Sequence, residues 1–146
     1  MLAFKGFNEN LTCTMGHGIF QYEIGKKYKE KEANCTKNGF HCCENPLDVL
    51  DWYSGQGSRF CVVEAEGEIN QDNVGTKISC TKMTIVKEIT RLELGACACE
   101  YMRRHPKRTV SSSYLQQNRG ECKEKNGFII VRNIFSFARR KKQRKY

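Results

Sequence analysis

Proline is scarce: only Pro46 and Pro106 occur in 146 residues, which excludes a Pro-rich linker protein. Long apolar runs are missing too. None approaches the roughly 20 residues of a membrane helix, so no membrane span is expected. The opening residues, MLAFKGFNENLT, lack the apolar stretch and cleavage site of a secretory signal. A cytoplasmic location is the expectation, and the sequons at Asn10 and Asn34 then have no consequence. No two cysteines stand in a C-x2-C pair, the commonest zinc-knuckle spacing. Acidic residues nearly vanish late in the chain: after residue 100 only Glu121 and Glu124 remain.

That last absence shapes the charge. The chain carries a net +9. Residues 1–100 hold 11 Lys and Arg against 14 Asp and Glu, a balance of −3. Residues 101–146 hold 14 Lys and Arg against two acids, a balance of +12. The basic character belongs to the last third alone, and such asymmetry is a statement about partners rather than about fold.

Cysteine is abundant at nine residues. The count is odd and no export signal is visible, so reduced thiols are expected rather than a disulfide framework. Cys61, Cys80 and Cys99 sit in apolar company, where cysteine behaves as a small hydrophobe.

The hydrophobic pattern predicts an α+β fold. Residues 2–7 read as a strand. Over 19–28, Phe20, Tyr22 and Ile24 alternate with Gln21 and Glu23, the period of a half-buried strand. Gly39 opens a short strand over 40–43. A helix follows it, with Asn45 as N-cap, Pro46 at its first position and Asp48 near its positive end. Leu47 and Leu50 supply its apolar face, and residues 54–58 end it. Residues 59–69 read as a strand with a bulge near Gly67, and 77–89 as another. Thr90 and Glu93 form a capping box. It opens a helix to about Arg104, with Leu92, Ala96, Cys99 and Met102 spaced for the buried face and Gly95 weakening it. Pro106 stops it.

Beyond Pro106 the period fades and residues 107–127 read as a solvated linker. Residues 128–137 are apolar again, a strand or a docking helix. The expected organisation is therefore a small, mostly antiparallel sheet with two helices over 1–105. A basic linker and C-terminal extension follows over 106–146.

Several phrases in the first part belong together: Lys5-Gly6-Phe7, Leu11-Thr12-Cys13, Phe20-Gln21-Tyr22-Glu23, Gly25-Lys26, Gly39-Phe40-His41, Cys43 to Asp48, Arg59-Phe60 and Val63-Glu64. Over about residues 3–90 the chain resembles an uncharacterised domain family of bacteriophage, prophage and bacterial proteins. The resemblance implies a mobile-element setting and no activity. Members of that family look to carry short Ser/Gly/Ala-rich repeats after the domain, where this chain has a basic tail. In that setting small proteins often block host machinery, including nucleic-acid-guided, CRISPR-type defence.

Four chemistries compete for the site. Cys13, His17, Cys35 and His41, with Cys42 and Cys43 beside them, offer enough nitrogen and sulfur ligands for a structural zinc, against the reading of reduced core thiols. A thiol nucleophile would need His41 and Cys43, which share a strand face while Cys42 points the other way; Cys43 reads more simply as core. The order of strands and helix is also similar to small ADP-ribosyltransferase folds. Those hold their nicotinamide cofactor with an Arg or His where this chain has Lys5, and they use a late glutamate where Glu64 and Glu66 come early.

The fourth chemistry is the basic tail. Arg103, Arg104, Lys107 and Arg108 form one cluster, and Arg139, Arg140, Lys141, Lys142, Arg144 and Lys145 another. Tyr114, Phe128, Phe135 and Phe137 lie between. Clustered cations neutralise phosphates, and aromatic rings stack on bases. The expected function is non-enzymatic binding of a nucleic acid or nucleoprotein complex, with a possible host protein target and no cofactor. An ADP-ribosyltransferase-like enzyme and a zinc-binding interaction module are the alternatives.

Overall fold

A computed structural model of the chain describes residues 1–14, 18–35 and 37–132. It has the expected α+β architecture. Five mostly antiparallel strands form the main sheet: β1 (Leu2–Phe7), β4 (Lys27–Lys29), β5 (Phe40–Cys43), β6 (Arg59–Gln71) and β7 (Lys77–Ile89). Two short strands, β2 (Thr12–Cys13) and β3 (Phe20–Gln21), make a separate ribbon. The helices are α1 (Pro46–Val49) and α2 (Arg91–Arg104). A parallel pair, β8 (Leu115–Gln117) and β9 (Ile130–Arg132), completes the described chain.

The main sheet closes on itself. β6 pairs with β1 along its first half and with β7 along its length, β7 pairs with β5, and β5 returns to β1. β4 continues the β5 edge of β7. The closure is narrow, because β1 and β5 meet only at Phe4 opposite Cys43. The long β6–β7 hairpin bends round the ring at a register shift between Glu66 and Ile69. This is the bulge expected near Gly67, whose φ of +76° only glycine adopts easily. Its missing Cβ also leaves room for the Thr81 hydroxyl.

Strand alternation then separates two cores. Ala3, Phe7, Phe40, Cys42, Cys61, Val63, Ile78, Cys80, Met83 and Ile85 turn inward, and Leu11, Cys13 and Tyr22 plug the interior from the ribbon. Phe60, Cys43 and Ile89 turn outward and pack under Leu47, Val49 and Leu50 of the α1 region and Leu94 and Ala98 of α2.

The helix ends follow the sequence. The Asn45 side chain accepts from Leu47 N–H at 3.1 Å, and Pro46 occupies the first turn. Thr90 Oγ1 accepts from Glu93 N–H at 3.1 Å, while the Glu93 carboxylate accepts from Thr90 N–H at 2.7 Å. These reciprocal bonds satisfy donors that the helix cannot.

Three expectations are corrected. The strand expected over residues 19–28 divides into β3 and β4. Lys26 N–H bonds back to Glu23 C=O, and Gly25 turns the chain at φ +86°. Tyr22 is buried as expected, but Phe20 and Ile24 are 41% and 46% exposed. In α2 the buried face is Leu94, Gly95, Ala98 and Tyr101, and Leu92 is 67% exposed.

The cause of that second difference is Gly95. A Cβ there would stand 2.9 Å from the Phe128 ring, so the glycine that lowers helix propensity admits the aromatic side chain. The stretch expected as a solvated linker is the third correction. Within it Val110 and Tyr114 pack on the outer core and Leu115–Gln117 forms β8, beside Phe128 and Ile130 of the apolar stretch that follows, with the buried Phe128 ring tilted against Tyr114 at 5.3 Å.

Candidate functional site

Lys5 is the unusual residue of the interior. It lies on β1 between Ala3 and Phe7, both inward-facing, and alternation carries it inward with them. It is 4% exposed. Past the single β1–β5 pair the strands splay, and the Lys5 ammonium fills the gap by donating to His41 C=O at 2.7 Å. It also stands 5.3 Å from the Tyr22 ring centre and 5.6 Å from that of Phe7. Aromatic faces attract a cation, yet no described carboxylate pairs with Lys5. None of the undescribed residues is Asp or Glu. The sequence signal for this site was the Ala3-x-Lys5-x-Phe7 alternation.

His41 and the cysteines of β5 are occupied by the fold. His41 Nε2 lies 2.9 Å from Cys35 C=O. Burial holds its pKa below the ordinary histidine value, opposed by that bond. Cys43 faces the outer core, where burial first and Asp48 second push its thiol up to about 12. Cys42 and Cys80 both face the ring interior, where the Cys80 neighbour and burial raise the Cys42 pKa while Cys42 lowers that of Cys80, whose Sγ lies 3.6 Å from Phe40 C=O. The thiolate is the reactive form of cysteine. Among the described residues no hydrogen bond joins His41 to Cys43, because the His41 ring is bonded to Cys35 C=O and the Cys43 thiol is packed in the outer core.

The zinc candidates are likewise held elsewhere. Cys13 Sγ lies 3.5 Å from Gly6 C=O and Cys35 Sγ 3.0 Å from Asn70 C=O. His17 lies outside the described residues. Among the described residues no three His, Cys, Asp or Glu side chains converge on a metal position.

An open cleft of about 270 Å³ lies where the β2–β3 ribbon meets the start of β5. Phe20, Tyr22, Phe40 and Ile19 form its walls, and Lys5 lies in its lining. The rings touch one another: Phe20 to Tyr22 is 4.7 Å and Phe20 to Phe40 is 6.0 Å between centroids. Glu30 and Lys37, of opposite charge, and Asn38 supply polar lining.

Glu64 and Glu66 do not join Lys5. Glu64 lies opposite Leu2, and Cys61 opposite Lys5. Alternation on β6 thus puts the glutamates on the outer face and Lys5 on the inner one. Glu66 is paired with Lys27 at 2.8 Å. The arrangement needed for the ADP-ribosyltransferase alternative, a β1 cation and these carboxylates in one site, is not formed.

The first basic cluster is partly self-paired. Arg103 and Arg104 both bond Glu100, at 2.8 and 2.7 Å, holding its carboxyl down at about 2. Arg108 reaches Glu44 at 3.0 Å and the Tyr101 hydroxyl at 2.7 Å. Arg132 rests on Met102 Sδ at 3.3 Å. Lys107, Arg119, Lys123 and Lys125 are exposed and have no ion pair among the described residues. The sequence reading passed over Arg119, Lys123 and Lys125 because single charges in an aperiodic stretch do not stand out as a cluster. Arg139, Arg140, Lys141, Lys142, Arg144 and Lys145 lie outside the described residues. No described helix is long and apolar enough to cross a membrane.

One family model, that of a domain of unknown function (DUF7666), matches residues 1–96, and the chain belongs to that family. The match runs from β1 into α2 and stops before the basic third. No curated protein and no solved structure matches the chain.

Proposed function

We propose that the protein is a non-enzymatic binder of a polyanion, namely a nucleic acid or a nucleoprotein complex, through its basic last third. The observation that carries this reading is the +12 balance of residues 101–146 beside the −3 of the rest. The described ion pairs support a ranking of the cations within this reading. Arg103, Arg104 and Arg108 are engaged by Glu100 and Glu44. Exposed ion pairs of this kind are weak and yield to phosphate. Among the described residues Lys107, Arg119, Lys123 and Lys125 need no such exchange, and six further cations follow residue 138 in the sequence. Contacts to phosphate give affinity without sequence preference, and the acidic domain adds shape contacts to a protein partner. A phage or mobile-element setting, with nucleic-acid-guided host defence as the target, is the narrower form of this proposal and rests on the family resemblance alone.

The test is a salt series of binding to labelled single-stranded and duplex oligonucleotides, for the full chain and for a chain lacking residues 138–146. Each phosphate contact adds roughly 0.7–0.9 to the slope of log affinity against log salt. Removing six cations is expected to weaken binding and to flatten that slope by up to about 4–5. An unchanged affinity and slope would sink the tail as the binding element.

A further inference from the structure

The geometry points to the aromatic cleft as a second, separate binding site, for a small planar carboxylate whose anionic end meets Lys5. This inference stands apart from the basic last third, since the cleft lies wholly within residues 5–41.

The chemistry follows from what Lys5 lacks. A buried ammonium without a counter-ion is costly unless its donors are met. Lysine has three, and among the described residues only the 2.7 Å bond to His41 C=O uses one. The rings of Tyr22 and Phe7 offset part of the charge but accept no conventional hydrogen bond. Two donor positions and one uncompensated positive charge remain. A carboxylate matches both, because it has two acceptor oxygens and one negative charge.

The walls select the other end of the ligand. Phe20, Tyr22 and Phe40 present edges and faces at ring-stacking distances from one another, and Phe20 keeps 41% of its surface exposed. That wall is ready to cover a flat apolar body. A space of about 270 Å³ is that of one or two fused rings rather than a polymer. Glu30 and Lys37 at the same cleft offset each other in charge, so Lys5 decides the sign of the ligand.

The test uses the full chain titrated with 4-hydroxybenzoate and 2-naphthoate, each beside its carboxamide, followed by calorimetry and by NMR shifts of the aromatic side chains. Saturable carboxylate binding that moves the Phe20, Tyr22 and Phe40 signals is expected. The carboxamides should bind roughly 10–100-fold more weakly, the worth of a charged hydrogen-bonded contact. Lys5→Met should abolish the difference between acid and amide. Should Lys5→Met fail to fold, Phe20→Ala, on the exposed wall, must still weaken carboxylate binding severalfold. The proposal is overturned by no binding of either carboxylate, by equal binding of acid and amide, or by binding untouched by Phe20→Ala.

Discussion

The two cores of this protein are built from one set of strands and differ in kind. The outer core, under α1, α2 and the returning chain, is apolar: Leu47, Phe60, Leu94, Ala98 and Phe128. The ring interior holds Cys13, Cys42, Cys61 and Cys80, the tyrosine Tyr22, and an ammonium. Both are well buried, so burial alone does not distinguish them. What does is polar content, because an apolar core gains stability from every buried methylene, whereas a buried polar group costs unless it is bonded. The outer core reads as the part that holds the fold. The interior gives up stability around one lysine, and sites that do so are where function is to be sought.

The largest effect should separate these roles. Phe128→Ala removes the ring that seats against Gly95 and is expected to cost about 3–5 kcal/mol in urea unfolding. A loss below about 1 kcal/mol would mean that residues 106–132 add little to the outer core, and the contrast would then rest on the helices alone.

A second effect belongs to the junction at β5. His41 has its pKa lowered from 6.5 by burial, with Lys5 and Lys77 lowering it further and Asp72 and the Cys35 carbonyl opposing. The unfolded chain therefore takes up the proton first. The stability contributed by neutral His41 is whole above pH 6.5 and is lost as pH falls through the lower folded value. Thermal unfolding from pH 7.5 down to 5 should show a steeper fall for the parent chain than for His41→Gln. His17 and His105 are common to both, so parallel curves would remove His41 as a source of the pH dependence.

The smallest effect is the sharpest for the comparison. Lys5→Met keeps the bulk and removes the charge. Exchanging a buried charge for an apolar side chain is often neutral or stabilising, while the bond to His41 C=O is worth about 1 kcal/mol. Urea unfolding should therefore move by no more than about 1 kcal/mol in either direction. A loss of 3 kcal/mol or more would make Lys5 a structural strut and erase the difference between the two cores.

Much of the fold was legible because it is local. The Asn45-Pro46 cap and the Thr90–Glu93 box follow from interactions within a few residues, and the 77–89 strand and the bulge at Gly67 from local residue pattern and glycine's freedom. The misread face of α2 shows the limit. Leu92, Ala96, Cys99 and Met102 make a plausible apolar stripe, and no residue nearby in sequence says that Phe128 will arrive on the other side. The aromatic alternation over 19–28 failed for a related reason: a turn at Gly25 and a tertiary bond from Gly25 N–H to Ile85 C=O, 2.6 Å long, outrank the strand period. At the candidate sites, the charge asymmetry was plain by counting. The pairing of Arg108 was not, since Glu44 meets it from 64 residues away, whereas Arg103 and Arg104 meet Glu100 at the helical spacings of three and four.

The sequence by itself determined the long strands, the helix caps and the segregation of charge, all of which depend on residue type and short-range spacing. Only the tertiary structure decided how Lys5 would be partnered in the interior, and that Phe40 to Cys43 would pair with β1 and β7. It also placed a glycine and a phenylalanine 33 positions apart in one contact. The reason is physical: closing the sheet into a ring fixes which face of every strand is inside, and that choice is made jointly by strands far apart in the chain.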